Sequence, residues 1–283
     1  MGQTGETFSG CAAYMRRHSP KLVICENVEG LAKKIRGSEP QVFSVMREFV
    51  NLGYSASWRI LDSRHFQLPQ RRRRCWMWAS KYASNFAVEN EVPDTLSRLA
   101  STSHVQLHKL LKKNMKETRL LDRERSVVKA ALGKLHSQSE KDIIVDIAKS
   151  AERAPVCIGA TSCIVPNSKP YHLQSKRVLT PEEVLKVQGI YREDFKALTE
   201  ILKEKGGGGL ARDLAGNAFT STVCLAVLVS TLAHCPLQAS RGKRQSQGTS
   251  PGTPQKRRRV ADVESPIKSQ RRGASPGTRK SSS

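Results

Sequence analysis

The feature that most constrains this chain is an apolar run ending in a carboxylate, followed later by a run of arginines. Residues 21–25 (KLVIC) predict a buried strand, with Glu26 at its carboxyl end. Four arginines, residues 71–74, follow Gln70 and precede another apolar strand at residues 75–79. Ligands of open α/β sheets bind at the carboxyl ends of strands. A carboxylate and planar guanidinium groups at one sheet edge can therefore bind a planar, hydrogen-bonding ligand such as a nucleobase.

Residues 1–80 alternate between helical and strand-like patterns. An apolar stripe within residues 42–50, preceded by Pro40 and stopped by Gly53, predicts a helix. Apolar and polar residues then alternate over residues 55–61, which is typical of a strand. Strands separated by a helix predict a βαβ unit whose strands are buried on both faces, and hence an α/β fold.

The middle of the chain divides by pattern into two further segments. Residues 81–153 are more highly charged and predict a small helical insertion. Helices are expected in this insertion at residues 107–115, 116–136 and 140–150. In residues 154–236, Thr180 followed by one Pro and two Glu predicts a strong helix start. Four glycines at residues 206–209 lack the flanking residues of a phosphate-binding loop and predict a flexible hinge.

Residues 237–283 form a basic tail whose composition predicts disorder. From residue 240 onward the tail carries 12 Lys and Arg but only 2 Asp and Glu. Two basic clusters have the spacing of a bipartite nuclear import signal: Lys243 and Arg244, then Lys256, Arg257, Arg258 and Arg259. An import receptor and a nuclear location are therefore expected, although a tail that binds polyanions without sequence preference fits the same charge.

Charge and cysteine content narrow the class of protein. The formal net charge of +23 favours a polyanionic partner such as nucleic acid. The seven cysteines are odd in number and follow no metal-binding spacing, so reduced thiols and no metal site are expected. Cys157 and Cys163 are expected to be more exposed, with nothing near them that activates a thiolate. Ser and Thr interrupt the apolar residues 218–233, which favours a buried core helix over a membrane span.

Four short motifs occur in an order that is informative as a set. They are E-N-V within residues 20–31, Q-x-R-x-R in residues 70–74, R-x-L-T-x-x-E within residues 177–189, and G-N within residues 216–225. With these motifs in this order across residues 5–235, the chain resembles the DNA cytosine-5 methyltransferase family. The resemblance implies a partial, Rossmann-like methyltransferase sheet, S-adenosylmethionine as methyl donor and DNA as partner.

The resemblance also implies roles for the residues of the opening pair. Glu26 matches the family's carboxyl group that activates N3 of the target cytosine. Arg74 matches the arginine that holds the O2 edge of that base, and Arg72 matches an arginine that supports the site. These three are the expected catalytic residues. Glu26 as a surface or capping carboxylate is the alternative. For Arg71 and Arg73 a phosphate-binding role is preferred.

The remaining matched residues have supporting roles. Asn27, Gln70 and Arg177 are expected to be structural. The resemblance places Asn217 and Ala218 in the wall of the S-adenosylmethionine pocket. A helix cap for an apolar helix at residues 218–233 is nearly as good an interpretation of Asn217.

Two family motifs are missing from the sequence: the Gly-rich F-x-G-x-G turn and the Pro-Cys-Gln loop that carries the nucleophile. The resemblance implies that residues 1–80 are the C-terminal half of a catalytic domain. Residues 81–153 then occupy the position of the target-recognition region, and residues 154–236 contain the closing motifs. The chain is therefore expected to be an N-terminally truncated methyltransferase, inactive alone, with a separate chain as one source of the nucleophile. The alternatives are a non-catalytic nuclear nucleic-acid-binding remnant and an RNA cytosine-5 methyltransferase.

Overall fold

The computed structural model describes residues 3–34, 37–101, 103, 105–135, 142–191, 193, 196–204 and 206–238. These residues belong to one compact unit, residues 1–241. Residues 239–283 of the predicted disordered tail, with the import clusters at residues 243–244 and 256–259, lie outside the described residues.

A three-stranded sheet forms the centre of this unit. Its strands are β1 (Leu22–Val28), β2 (Ser55–Asp62) and β3 (Arg73–Ser80), in the order β1-β3-β2. β3 is antiparallel to both neighbours, so β1 and β2 run parallel to each other. Helix α2 (Gln41–Asn51) connects β1 to β2, and Gly53 follows it with φ of 79°. The predicted βαβ unit is therefore confirmed, with a later strand inserted at its centre.

Helices cover both faces of this sheet. Helices α1 (Gln3–His18) and α2 pack against Cys75, Met77 and Ala79 of β3. On the opposite face, α3 (Val92–Leu99) and α9 (Ser221–His234) pack against Trp76 and Trp78. Residues 75–80 are buried along their whole length, because alternate side chains point into two separate hydrophobic clusters. Burial on both faces explains why β3 is continuously apolar after its arginines.

A second, four-stranded antiparallel sheet follows α4 (Leu107–Leu110) and α5 (Asp122–Leu132). Its strands, in the order β5-β4-β6-β7, are β4 (Ile143–Asp146), β5 (Val156–Ile158), β6 (Pro170–His172) and β7 (Arg177–Val178). The helix predicted for residues 140–150 is therefore wrong. Ile143, Ile144 and Val145 are consecutive β-branched residues, all buried, and they pair with strands on both sides.

The C-terminal part of the unit is helical: α6 (Pro181–Val187), α7 (Lys196–Lys203), α8 (Gly207–Asn217) and α9. The predicted start of α6 is confirmed. Thr180 Oγ1 accepts a hydrogen bond from the Glu183 amide at 3.3 Å, and Glu183 Oε2 accepts one from the Thr180 amide at 2.7 Å. Gly189, with φ of 75°, lies just after the helix.

Two predictions about the last helices are wrong. The glycines at residues 207–209 lie inside α8 and not in a hinge, and Gly206 precedes the helix with φ of 87°. A Cβ on Gly207 would lie 1.6 Å from the Ile201 carbonyl oxygen, so a close approach to α7 requires glycine there. Asn217 ends α8, and Thr220 is the N-cap residue of α9, so Asn217 does not cap the last helix.

The C-terminal helices also contain the most apolar segment of the described chain. Gly207–His234 has the length and mean hydropathy of a membrane span. It consists of two helices, however, because α8 ends at Asn217 and α9 starts at Ser221. Val223 and Val227 of α9 are buried in the core beneath the central sheet. This face agrees with the core helix expected from the sequence, whereas Leu225, Val229 and Leu232 of α9 are exposed, so the helix is buried on one side only.

Candidate base-binding site

The strand register places the opening carboxylate beside the arginines. Glu26 of β1 lies opposite Trp76, and Val28 lies opposite Arg74, so both strands bring their polar residues to one end of the sheet. Successive arginines alternate in burial, as side chains of an extended segment do. Arg72 and Arg74 are 5% and 15% exposed, whereas Arg71 and Arg73 are exposed. The run of arginines is therefore two inward and two outward groups.

Glu26 is an ion-pair partner of both inward arginines. Its Oε1 lies 3.0 Å from Arg74 Nε and 3.6 Å from Arg72 Nη2, and the side chain is 12% exposed. Within the described residues this oxygen accepts no hydrogen bond of normal geometry. Burial raises the pKa of Glu26, and the guanidinium groups of Arg72 and Arg74 offset only part of that rise. A buried carboxyl group of this kind can donate a proton or a hydrogen bond to a ligand.

Arg72 is held rigidly by backbone carbonyl groups. Its Nη1 donates to the Ile164 carbonyl at 2.8 Å, and its Nη2 donates to the Ala218 carbonyl at 3.1 Å. The Arg72 amide also donates to Ser63 Oγ at 3.1 Å. Arg72 therefore joins three segments that are distant in sequence and fixes the cation behind Glu26.

A cavity of about 650 Å³ opens beside this cluster. Its lining residues are Val28, Glu29, Gly30, Asp62, Arg64, Arg71, Arg73, Arg74 and Cys163. Arg73 Nε lies 3.2 Å from Glu29 Oε2, and a hydrogen bond from Arg73 lowers the pKa of Glu29. Four arginines against two carboxylates leave the wall positively charged, which suits an anionic ligand such as a phosphate.

Cys163 is the residue of this site that sequence reasoning missed. Arg74 Nη2 donates a hydrogen bond to Cys163 Sγ at 3.1 Å, and Arg72 Nη1 lies 3.8 Å from the same sulfur. The expectation for Cys163 is therefore wrong in its geometry: two guanidinium groups contact a sulfur near which no such group was expected. No local signal could have found this contact, because only the fold brings residue 163 to the arginines. The expected exposure of Cys157 is also wrong: it is 4% exposed, and burial raises its pKa.

The three expected structural residues make contacts within the protein. Asn27 Oδ1 accepts a hydrogen bond from the Val28 amide at 2.7 Å, which shapes the end of β1. Gln70 is fully buried, and its carbonyl accepts from Ser63 Oγ at 2.9 Å. Arg177 donates to both carboxylate oxygens of Glu183, at 2.7 and 2.8 Å. None of these three residues is among those that line the cavity.

The expected cofactor residues lie at the turn between α8 and α9. Asn217 is exposed, Ala218 is half-buried, and the Ala218 carbonyl is already bonded to Arg72. An exposed amide and a methyl side chain can contribute one wall of an S-adenosylmethionine site. They do not themselves form a pocket for a cofactor of that size, so these residues do not fit the whole group.

Two curated relatives are 31% identical to parts of this chain. The Type II methyltransferase M.Sau3AI of Staphylococcus aureus is 31% identical over 87 residues, which are 30% of this chain and 21% of that protein. The Type II methyltransferase M.NgoBV of Neisseria gonorrhoeae is 31% identical over 120 residues, 38% of this chain and 28% of that protein. The matched segments thus span less than a third of either relative.

The fold and the family are shown by two broader similarities. The solved Dnmt2 methyltransferase of S. pombe superimposes with a TM-score of 0.50 at 15% identity, covering 80% of this chain and 70% of that chain. This similarity confirms the predicted α/β methyltransferase fold. The family model for the C-5 cytosine-specific DNA methylase matches residues 2–231. Since that match covers most of the sequence, the chain belongs to the C-5 cytosine-specific DNA methylase family.

Proposed function

We propose that this chain supplies the base-binding half of an S-adenosylmethionine-dependent methyltransferase that acts on C5 of cytosine in DNA. The observation that carries the proposal is the Glu26–Arg72–Arg74 cluster: a buried carboxyl group with a raised pKa, paired with two fixed guanidinium groups beside a cationic cavity. Family membership supplies the reaction, and the names of the curated relatives agree with it.

The cluster suits the difficult step of that reaction. A thiolate must add to C6 of cytosine, and the addition becomes easier when N3 receives a proton or a hydrogen bond. Glu26 is the group for N3, because burial favours its protonated form. Arg74 is the group for the O2 edge, since a guanidinium donates in the plane of the base. The target base would have to leave the helix to reach this buried cluster.

Arg72 is a positioning residue in this proposal. Its hydrogen bonds to the Ile164 and Ala218 carbonyls fix the guanidinium that faces Glu26. Arg71 and Arg73 are exposed, line the cavity together with Arg74, and would bind phosphates of the DNA backbone. We further propose nuclear import through the basic tail, on the strength of its two basic clusters.

The methyl donor and the nucleophile would come from a complementary part that carries the F-x-G-x-G and Pro-Cys-Gln motifs. That part could be encoded upstream or in a separate chain. S-adenosylmethionine would supply the methyl group, and Asn217 and Ala218 would form one wall of its site. Each half alone would then be inactive.

The test is transfer of tritiated methyl groups to cytosine-rich duplex DNA. This chain would be mixed with, or joined to, a donor half that carries both missing motifs, and each half alone would be the control. We expect label at C5 of cytosine only when both halves are present. Label with this chain as the only protein would contradict the division of labour. A stable two-half complex that labels RNA but not DNA would contradict the proposed substrate.

A further inference from the structure

Cys163 lies against the two inward arginines of the site. Arg74 Nη2 donates to its sulfur at 3.1 Å, and Arg72 Nη1 lies at 3.8 Å. The Arg72 side chain is only 5% exposed, and its Nε has no hydrogen-bond partner among the described residues. Cys163 is also half-buried in the wall of the arginine-lined cavity, where a small molecule can reach it.

The other cysteines provide a contrast within the same protein. Burial raises the pKa of Cys25 to about 11 and that of Cys75 to about 12. Burial also raises the pKa of the thiols of Cys157, Cys224 and Cys235. Thiols with a raised pKa are poor nucleophiles at neutral pH. Cys11 is exposed on α1 and serves as an internal reference thiol.

We propose that Cys163 is a site of thiol–disulfide exchange that selects anionic disulfides. The selectivity comes from Arg64, Arg71 and Arg73, which line the cavity together with Cys163 and attract negatively charged groups. Cys163 gives its proton to solvent, its Sγ attacks one sulfur of the disulfide, the old S–S bond breaks, and a new S–S bond forms to Cys163. The departing thiolate takes the electron pair and then a proton from solvent. Cys163 is oxidised and the departing thiol is reduced.

The mixed disulfide would occupy the cavity. Its anionic part would neutralise the arginines, and its bulk would separate Arg74 from any base or phosphate that enters. Modification would therefore reduce nucleic-acid binding reversibly. This consequence rests on the proposed function, whereas the exchange reaction itself does not.

The first experiment compares two disulfides of opposite charge, a dianionic aromatic disulfide and the dicationic cystamine. Rates are measured for the full chain at low ionic strength, with mass spectrometry to assign the modified residue. For each cysteine, the rate of modification by the anionic disulfide is divided by the rate with the cationic disulfide. Both cysteines meet the same two reagents, so a difference between their ratios does not come from the intrinsic reactivity of the reagents. We expect this ratio to be about 10-fold or more larger at Cys163, and to fall towards the Cys11 value in high salt.

Variants separate the role of the arginines from accessibility. Arg71→Ala and Arg73→Ala should lower the Cys163 ratio several-fold and leave the Cys11 ratio unchanged, and Cys163→Ser should abolish modification at that position. Equal ratios at Cys163 and Cys11 would overturn the proposal. So would modification of Cys11 alone by both reagents.

The second experiment measures single-stranded oligonucleotide binding before and after exchange with the dianionic disulfide. We expect binding to weaken by about 10-fold, as phosphate contacts are lost, and to return when dithiothreitol removes the adduct. Selective modification of Cys163 with unchanged oligonucleotide binding would contradict the nucleic-acid role of the cavity. In that case the exchange site stands and the proposed function loses its support.

Discussion

Replacing Arg177 by alanine should strongly destabilise the protein. Arg177 and Glu183 are 3% and 0% exposed and are joined by two hydrogen bonds of 2.7 and 2.8 Å. Removing one member of a buried pair leaves the other charge uncompensated, at a cost of about 3–5 kcal/mol. Glu183 keeps hydrogen bonds from the Lys112 and Thr180 amides, so we expect the lower end, about 3 kcal/mol.

The pH dependence of this loss has a definite sign. Burial alone would raise the pKa of Glu183, but hydrogen bonds from Arg177 and from the Lys112 and Thr180 amides outweigh it and lower the pKa. A lowered native pKa adds stability above the unfolded-state pKa, and this is lost as pH falls through the native value. The cost of Arg177→Ala should therefore be largest near neutral pH and shrink in acid.

Urea unfolding of the wild-type protein and of Arg177→Ala, at neutral pH and at about pH 4, measures both quantities. Lys112→Ala is the matched control, because it removes only the half-exposed ion pair with Glu182 and should cost less than about 1 kcal/mol. The reasoning is refuted if Arg177→Ala lies within about 1 kcal/mol of the wild type. A cost that stays constant with pH would refute the role assigned to Glu183.

Three further predictions concern a helix cap, a tight helix contact and the tail. Thr180→Ala should lower the free energy of unfolding by about 1 kcal/mol, measured by urea denaturation, because the Glu183 amide loses its acceptor. Gly207→Ala should lower the melting temperature, since its Cβ would meet the Ile201 carbonyl oxygen at 1.6 Å. Gly209→Ala should raise the melting temperature slightly, because a Cβ added there would meet no atom within 4 Å. Replacing Lys256, Arg257, Arg258 and Arg259 by alanine in a fluorescent fusion should leave the protein in the cytoplasm; nuclear accumulation of that variant would rule out the import role.

The central sheet was predictable because its signals are local. Each element shows its own pattern: an apolar stripe in α2, alternation in β2 and an apolar run in β3. The structure contains all three elements. The Thr180 capping box was predictable for the same reason, since its partners lie three residues apart. The α/β class and the family follow from such short-range patterns together with the order of the motifs.

The incorrect predictions have a common cause: the structure at each place depends on contacts between residues that are distant in sequence. Charged residues around the run Ile143–Asp146 suggested a helix, but pairing with β5 and β6 makes it a strand. The glycines of α8 suggested a hinge, but they lie within a helix, and the close contact with Ile201 of α7 requires glycine at Gly207. Cys163 joins Arg74 only through the folded arrangement of segments distant in sequence. Periodicity carries no information about such contacts.

The central claim is that Glu26 and Arg74 bind one cytosine during methyl transfer. The most direct measurement is the rate of tritiated-methyl transfer to duplex DNA by an active combination of this chain with its complementary half, comparing Glu26→Gln with the parent. Arg71→Ala is the control: it should bind DNA more weakly, with a smaller salt dependence, at near-normal turnover. We predict that Glu26→Gln slows transfer by about 10²-fold or more while duplex binding barely changes. Transfer by Glu26→Gln at the parental rate would contradict the account.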